Sequence, residues 1–190
     1  MTAIAQEVRI PTLTIKPRFL VAVIAVLGVL FQIGHFVEHA VQFGVWLLSS
    51  RNTPYMSPVA MACVRFLGNW LFPAKDPAVR MMLGMEVLHL IGNSIFLVTI
   101  GSLFYFIRSK FMRYAFYVEL FHLYEHIMLT LTALFLGKSV GLSTLFGGAA
   151  TLGGQQFALG YRVSWHFVMN LIPSTLIMIA IMQKRQKSAG

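Results

Sequence analysis

The sequence predicts an all-α integral membrane protein: a four-transmembrane-helix bundle with a short interfacial or re-entrant helix in the first outer loop. Three observations predict it. Of its 190 residues, 57% are hydrophobic and 11% charged, against roughly 45–50% and about 25% in a soluble domain. The mean hydropathy is +0.74, and the apolar residues gather into four long runs separated by basic clusters. The histidines and most of the acids lie inside those runs rather than between them. No run alternates like a barrel strand, and lipid offers an open strand edge no hydrogen bonds, so each run must be a helix. Residues 1–190 read as a single membrane domain.

The first span covers approximately 19–48, between Arg18 and Arg51. About 20 apolar residues cross a bilayer, so this run is long enough to tilt. The mixed segment before it has no signal-peptide pattern, and the run is too long for a signal core. The span is therefore expected to act as the membrane anchor. In the first outer loop, Pro54, Pro58 and Pro73 surround an apolar piece at 59–72. It is too short to span, which predicts an interfacial or re-entrant helix. Tyr55 and Trp70 suit the headgroup level.

The second span covers approximately 81–107, between Arg80 and Arg108, and the third 114–137, between Arg113 and Lys138. A tight basic turn joins them. Residues 139–161 are rich in Gly and small residues, which predicts a flexible cap or packed loop over the outer mouth. The fourth span covers approximately 163–182, between Arg162 and Lys184. Arg9, Lys16, Arg18, Arg108, Lys110, Arg113, Lys184, Arg185 and Lys187 fall on one side of this arrangement. The positive-inside rule then puts both termini in the cytoplasm.

The net charge of +9 does not point to nucleic acid. The basic residues form short clusters between apolar runs, not a surface able to track a phosphate backbone. Cys63 is the one cysteine, which excludes an internal disulfide and a thiolate cluster.

Polar residues inside the spans are the strongest functional signal. The acids Glu38, Glu86, Glu119 and Glu125 and the histidines His35, His39, His89, His122, His126 and His166 all lie there. An ionisable group at the centre of a membrane helix costs about 2.5–3.5 kcal/mol on insertion scales and marks function by default. Steps of three and four put such residues on one helix face. His35, Glu38 and His39 form His-x-x-Glu-His, and His122, Glu125 and His126 repeat it. Glu119 extends the second stripe by a turn. Glu86 and His89 share a face with Asn93, and His166 shares one with Asn170. Four inward stripes meet in a four-helix bundle.

No basic residue is expected beside these carboxylates, so bound cations are the economical way to balance them. Imidazole and carboxylate without sulfur suit iron, copper, manganese or zinc. The Glu-x-x-His step of Glu86/His89 and Glu119/His122 is the ligand spacing of ferritin-like di-iron bundles. The likeness covers only those residues, and spans one and four depart from the pattern. The expected ligands are His35, Glu38, His39, Glu86, His89, His122, Glu125, His126 and His166, around two or three transition-metal ions, with iron favoured. Glu119 is the expected bridging ligand or proton relay. Tyr117 and Tyr124, flanking the third stripe, are candidates for a proton or radical route. Gln32 and Gln42 continue the first stripe as supporting residues.

These features predict an integral-membrane oxidoreductase that uses dioxygen on a lipid-soluble or small apolar substrate. An electron donor or partner subunit is implied, because the chain carries no flavin, nicotinamide or iron–sulfur motif. The alternatives are a haem- or chlorophyll-ligating subunit of an electron-transfer complex, a metal-ion transporter, and a zinc-dependent membrane hydrolase. The His-x-x-Glu-His string also occurs in inverted zinc peptidases. A purely structural polar network is the remaining reading.

Overall fold

The computed structural model describes residues 16–49 and 55–189, and the described residues contain helices and no strands. The expected boundary at Arg51, the basic Arg9 and the turn residue Pro54 lie outside them. Five helices follow in order: α1 (Pro17–Leu48), α2 (Pro58–Leu71), α3 (Pro77–Phe106), α4 (Lys110–Leu136) and α5 (Ala149–Ala189). A 3-10 turn, Leu142–Thr144, lies between the last two.

The helix starts follow local chemistry. α1, α2 and α3 each begin with proline, whose missing N–H and fixed φ suit the first turn. Ser57, Asp76 and Ser109 cap α2, α3 and α4. Their side-chain oxygens accept hydrogen bonds from the amides of Ala60, Ala78 and Met112 at 3.1, 2.8 and 3.2 Å. α4 ends at Gly137, whose φ of 68° is the left-handed C-terminal conformation.

α3 packs on α1, α2 and α4, while α5 packs on α1 and α4. The four long helices therefore close a ring, with α2 outside it against α3. Beyond the polar residues, Phe96, Ile100, Met112, Ala115, Ile177 and Ala180 fill the bundle at the end near the α3–α4 turn. The outer surface is apolar: Leu27, Val98, Phe135 and Met178 are all more than half exposed. A water-soluble fold does not leave such residues exposed on every long helix.

α1, α3 and α5 are long and apolar enough to cross a membrane. α4 has 27 residues, but its own Glu119, His122, Glu125 and His126 lower its apolar character. The expected helix at 59–72 is α2. It sits close to α3 because both partners carry glycine at the crossing. A Cβ on Gly84 would run into the Val64 carbonyl, and one on Gly68 into the Arg80 carbonyl. Gly84→Leu should therefore push α2 off α3. Limited proteolysis in detergent should then cut between α1 and α3 faster than in the native chain, and equal rates would contradict this packing.

The last segment differs from the expected loop and span. Residues 139–148 form a compact turn, but helix begins at Ala149 rather than at residue 163. The glycines that suggested a loop act as a break inside α5. Gly153 and Gly154 leave helical geometry, and Gly154 has φ 76°, a conformation open to glycine at little steric cost.

Candidate metal centre

The four stripes do meet. Gln32 and His39 of α1, Glu86 and Asn93 of α3, Glu119, His122, Glu125 and His126 of α4, and His166 and Asn170 of α5 are all buried. The six imidazoles form one continuous cluster. Ring centroids lie 4.6 Å apart for His35 and His39, 5.4 Å for His39 and His89, and 5.2 Å for His89 and His126. His126 stands 4.8 Å from His122 and 5.0 Å from His166. His166 in turn lies 5.1 Å from His89 and 5.8 Å from His39.

Helical spacing also sets the ring tautomers. The Nδ1 of His89 donates to the Met85 carbonyl one turn earlier, at 2.8 Å. The Nδ1 of His166 donates to the Arg162 carbonyl in the same way, at 2.8 Å. The Nδ1 of His39 donates to Gln42 Oε1 at 3.2 Å, and Gln42 Nε2 donates to Glu38 Oε1 at 3.4 Å. In each ring the proton sits on Nδ1, so Nε2 presents a lone pair. This is the arrangement of a metal-ligating histidine held by an outer acceptor. Among the described residues the buried Nε2 atoms of His39, His166 and His35 have no hydrogen-bond partner.

His122 and His126 face each other through their Nε2 atoms at 3.2 Å; among the described residues neither buried Nδ1 atom makes a hydrogen bond, and that of His122 lies 3.7 Å from Glu119. Two lone pairs at that separation repel unless one nitrogen is protonated or a cation lies between them. Tetrahedral metal–imidazole bonds of about 2.0–2.1 Å would put two such nitrogens roughly that far apart. One ligand atom from each of His122, His126 and His166 lies within 4.8 Å of the other two. The residues fit a transition-metal ion here.

Three of the expected carboxylate ligands also accept hydrogen bonds from other parts of the chain. Glu86 Oε1 accepts from Ser139 Oγ and is paired with Arg162. Glu125 accepts from the Ser143 amide at 2.6 Å and from Trp165 Nε1 at 2.7 Å. Glu38 accepts from the Ser57 amide at 2.8 Å. These three glutamates therefore tie down the outer cover, comprising the start of α2, the 139–144 turn and the upper part of α5. The expectation that no basic residue stands beside the carboxylates is corrected by Arg162. As a boundary residue of the fourth span it looked exposed, but the earlier start of α5 places it one turn above His166, over Glu86.

Glu119 is different again. It is fully buried, its oxygens accept no hydrogen bond among the described residues, and it lies 3.7 Å from His122 Nδ1. It shares a level with Gln32, Asn93 and Asn170, each one turn below a histidine of its helix. Gln32 Nε2 donates to Asn170 Oδ1 at 3.0 Å across that level. Asn170 Nδ2 and Asn93 Nδ2 both donate to histidine carbonyls at 2.9 Å.

Tyr117 and Tyr124 are not brought to the centre. They are 58% and 59% exposed on the outer face of α4, because positions two before and two after an inward residue fall on the opposite side of a helix. Arg162, Trp165, Ser57, Ser139 and Ser143 are contributors absent from the sequence-based expectation. Only the spacing of Arg162 to His166, a single turn, could have signalled one of them.

No curated protein and no solved structure matches the chain. Residues 2–189 match the sequence profile of DUF6008, a family of unknown function, and the chain belongs to that family.

Proposed function

We propose that this chain is an integral-membrane metalloprotein whose six histidines hold two transition-metal ions, and that it acts as a dioxygen-dependent oxidoreductase on an apolar substrate. The observation that carries the reading is the state of the imidazoles. Three are locked with Nδ1 bonded to an oxygen and Nε2 free to coordinate, beside a pair whose Nε2 atoms converge. His122, His126 and His166 would hold one ion. His35, His39 and His89 would hold the second, with iron or copper favoured by imidazole-rich coordination. Such metals, when bound, supply one-electron and dioxygen chemistry.

The chain's own residues would keep that chemistry dry and oriented. Gln42, Met85 and Arg162 hold the rings, and the outer cover tied by Glu38, Glu86 and Glu125 limits water. Glu119 is placed to bridge to a metal or to pass a proton to His122. Glu119→Gln separates these roles: loss of metal supports a bridging ligand, and retention of metal supports the relay.

The bundle is read as crossing the membrane with α1, α3, α4 and α5, and α2 as lying at the outer interface. Both termini would then be cytoplasmic, with the basic α3–α4 turn beside them. An electron donor or partner subunit would supply the reductant.

Elemental analysis and an absorption spectrum of detergent-purified protein test the reading. Two iron or copper atoms per chain, without a Soret band, are the expected result. Zinc alone would redirect it to hydrolysis. A Soret band would make the histidines haem ligands, and a metal-free protein would leave only a polar network.

A further inference from the structure

A cavity of about 370 Å³ opens on the side of the bundle between α1, α2 and α3. That is within the size of small-molecule sites, roughly 300–1,000 Å³. Its rim is apolar and outward-facing: Leu30 is 61% exposed and Val59 74%, and Phe31 and Cys63 are exposed beside them. Its inner end is polar, formed by His35, Glu38, His39 and His89. The cavity therefore runs from the lipid-facing surface to one edge of the histidine cluster.

Two glycines leave this passage open. A Cβ on Gly34 would meet no atom within 4 Å, so its place is empty space. A Cβ on Gly92 would sit 3.4 Å from the His35 ring. Among the described residues the same cavity has no lysine or arginine in its lining. Among those residues its polar end offers the Glu38 carboxylate, an acceptor, and no side-chain cation. With no metal bound, an anionic ligand would be buried in an apolar passage without a cation to pair it, at high desolvation cost. A neutral molecule with a hydroxyl or amide N–H at one end would meet acceptors there.

We propose that this cavity binds a neutral apolar molecule with one hydrogen-donating end, admitted sideways from the bilayer between α1 and α2. The binding stands on the cavity alone. Its chemical consequence rests on the metal reading above, since the polar end of the passage is His35, His39 and His89.

The test uses the full chain in phosphatidylcholine nanodiscs and a long-chain primary alcohol carrying a diazirine, with the matching fatty acid as its control. After illumination, adducts of the alcohol are expected on cavity residues such as Cys63, Met85 and Leu88. In protein stripped of metal with a chelator, the fatty acid should label these at least about tenfold less, because its carboxylate would be buried unpaired. Gly34→Phe, at a position where an added Cβ meets no atom within 4 Å, should reduce cavity labelling by a similar factor while the bound metal stays unchanged. Val59→Trp at the rim provides a second block in case the first variant folds poorly.

Adducts spread equally over lipid-facing residues such as Leu120 and Leu131, or labelling unchanged in both variants, would overturn the proposal. So would equal labelling by the fatty acid in the metal-free protein. The two readings fail separately. A metal-free protein that still labels at the cavity keeps this site and loses the metal centre. A metal-loaded protein without cavity labelling loses this site alone.

Discussion

His126→Ala should strip the centre of metal while leaving the protein in the membrane. His126 lies at the middle of the cluster, against His89, His122 and His166. It is one of the three residues whose ligand atoms come within 4.8 Å of each other. Removing a residue that only supports a ligand typically costs 10–100-fold in affinity, so loss of a ligand itself should exceed about 100-fold. Gln42→Ala provides the graded comparison. It leaves all six rings in place but frees His39 Nδ1, and should weaken binding by about 10–100-fold. Both effects are read by plasma mass spectrometry and by competition with a chelator. Full metal content in His122→Ala and His126→Ala alike would remove His122, His126 and His166 as the ligand set.

Arg162→Met should destabilise the bundle by about 3–5 kcal/mol, the usual cost of leaving one charge of a buried pair alone. Glu86 is completely buried and the Arg162 side chain is 22% exposed, so little solvent is at hand to replace the guanidinium. Ser139 remains as a partner, but a hydroxyl does not neutralise the carboxylate. The double variant Arg162→Met/Glu86→Met should recover most of the loss, because two apolar side chains leave no unpaired charge. Denaturant unfolding of the purified protein in detergent, arranged as a double-mutant cycle, measures the coupling. If Arg162→Met is as stable as the native chain, the pair does not hold the cover. The cover makes a further demand on Glu86. Without it, the 139–144 turn loses one of its two carboxylate anchors, and protease cutting there should rise.

Much of the centre is legible in the residue order. His-x-x-Glu-His twice, Glu-x-x-His once and His166 with Asn170 each put polar residues on one helix face, and helical periodicity carries that to three dimensions unaided. The burial of these residues on all four long helices follows, since a bundle has one interior. The approximate positions of α1, α2 and α3 are equally readable from the apolar runs at 19–48, 59–72 and 81–107. The start of α5 was not, because glycine-rich stretches permit both a loop and a broken helix. At Gly153 and Gly154 the neighbouring segments decide which forms.

Composition and spacing alone determined that this chain is helical, apolar on its outside, and rich in histidine within. What each carboxylate does was left to tertiary structure. Glu38, Glu86, Glu119 and Glu125 are the same residue type at similar helix positions, yet the first, second and fourth hold a backbone amide or an arginine across the bundle. Glu119 alone faces a histidine without such a donor. Their partners Ser57, Arg162, Ser143 and Trp165 come from distant parts of the chain. Hydrogen bonds act over about 3 Å, whereas sequence periodicity resolves only which face of a helix a residue occupies.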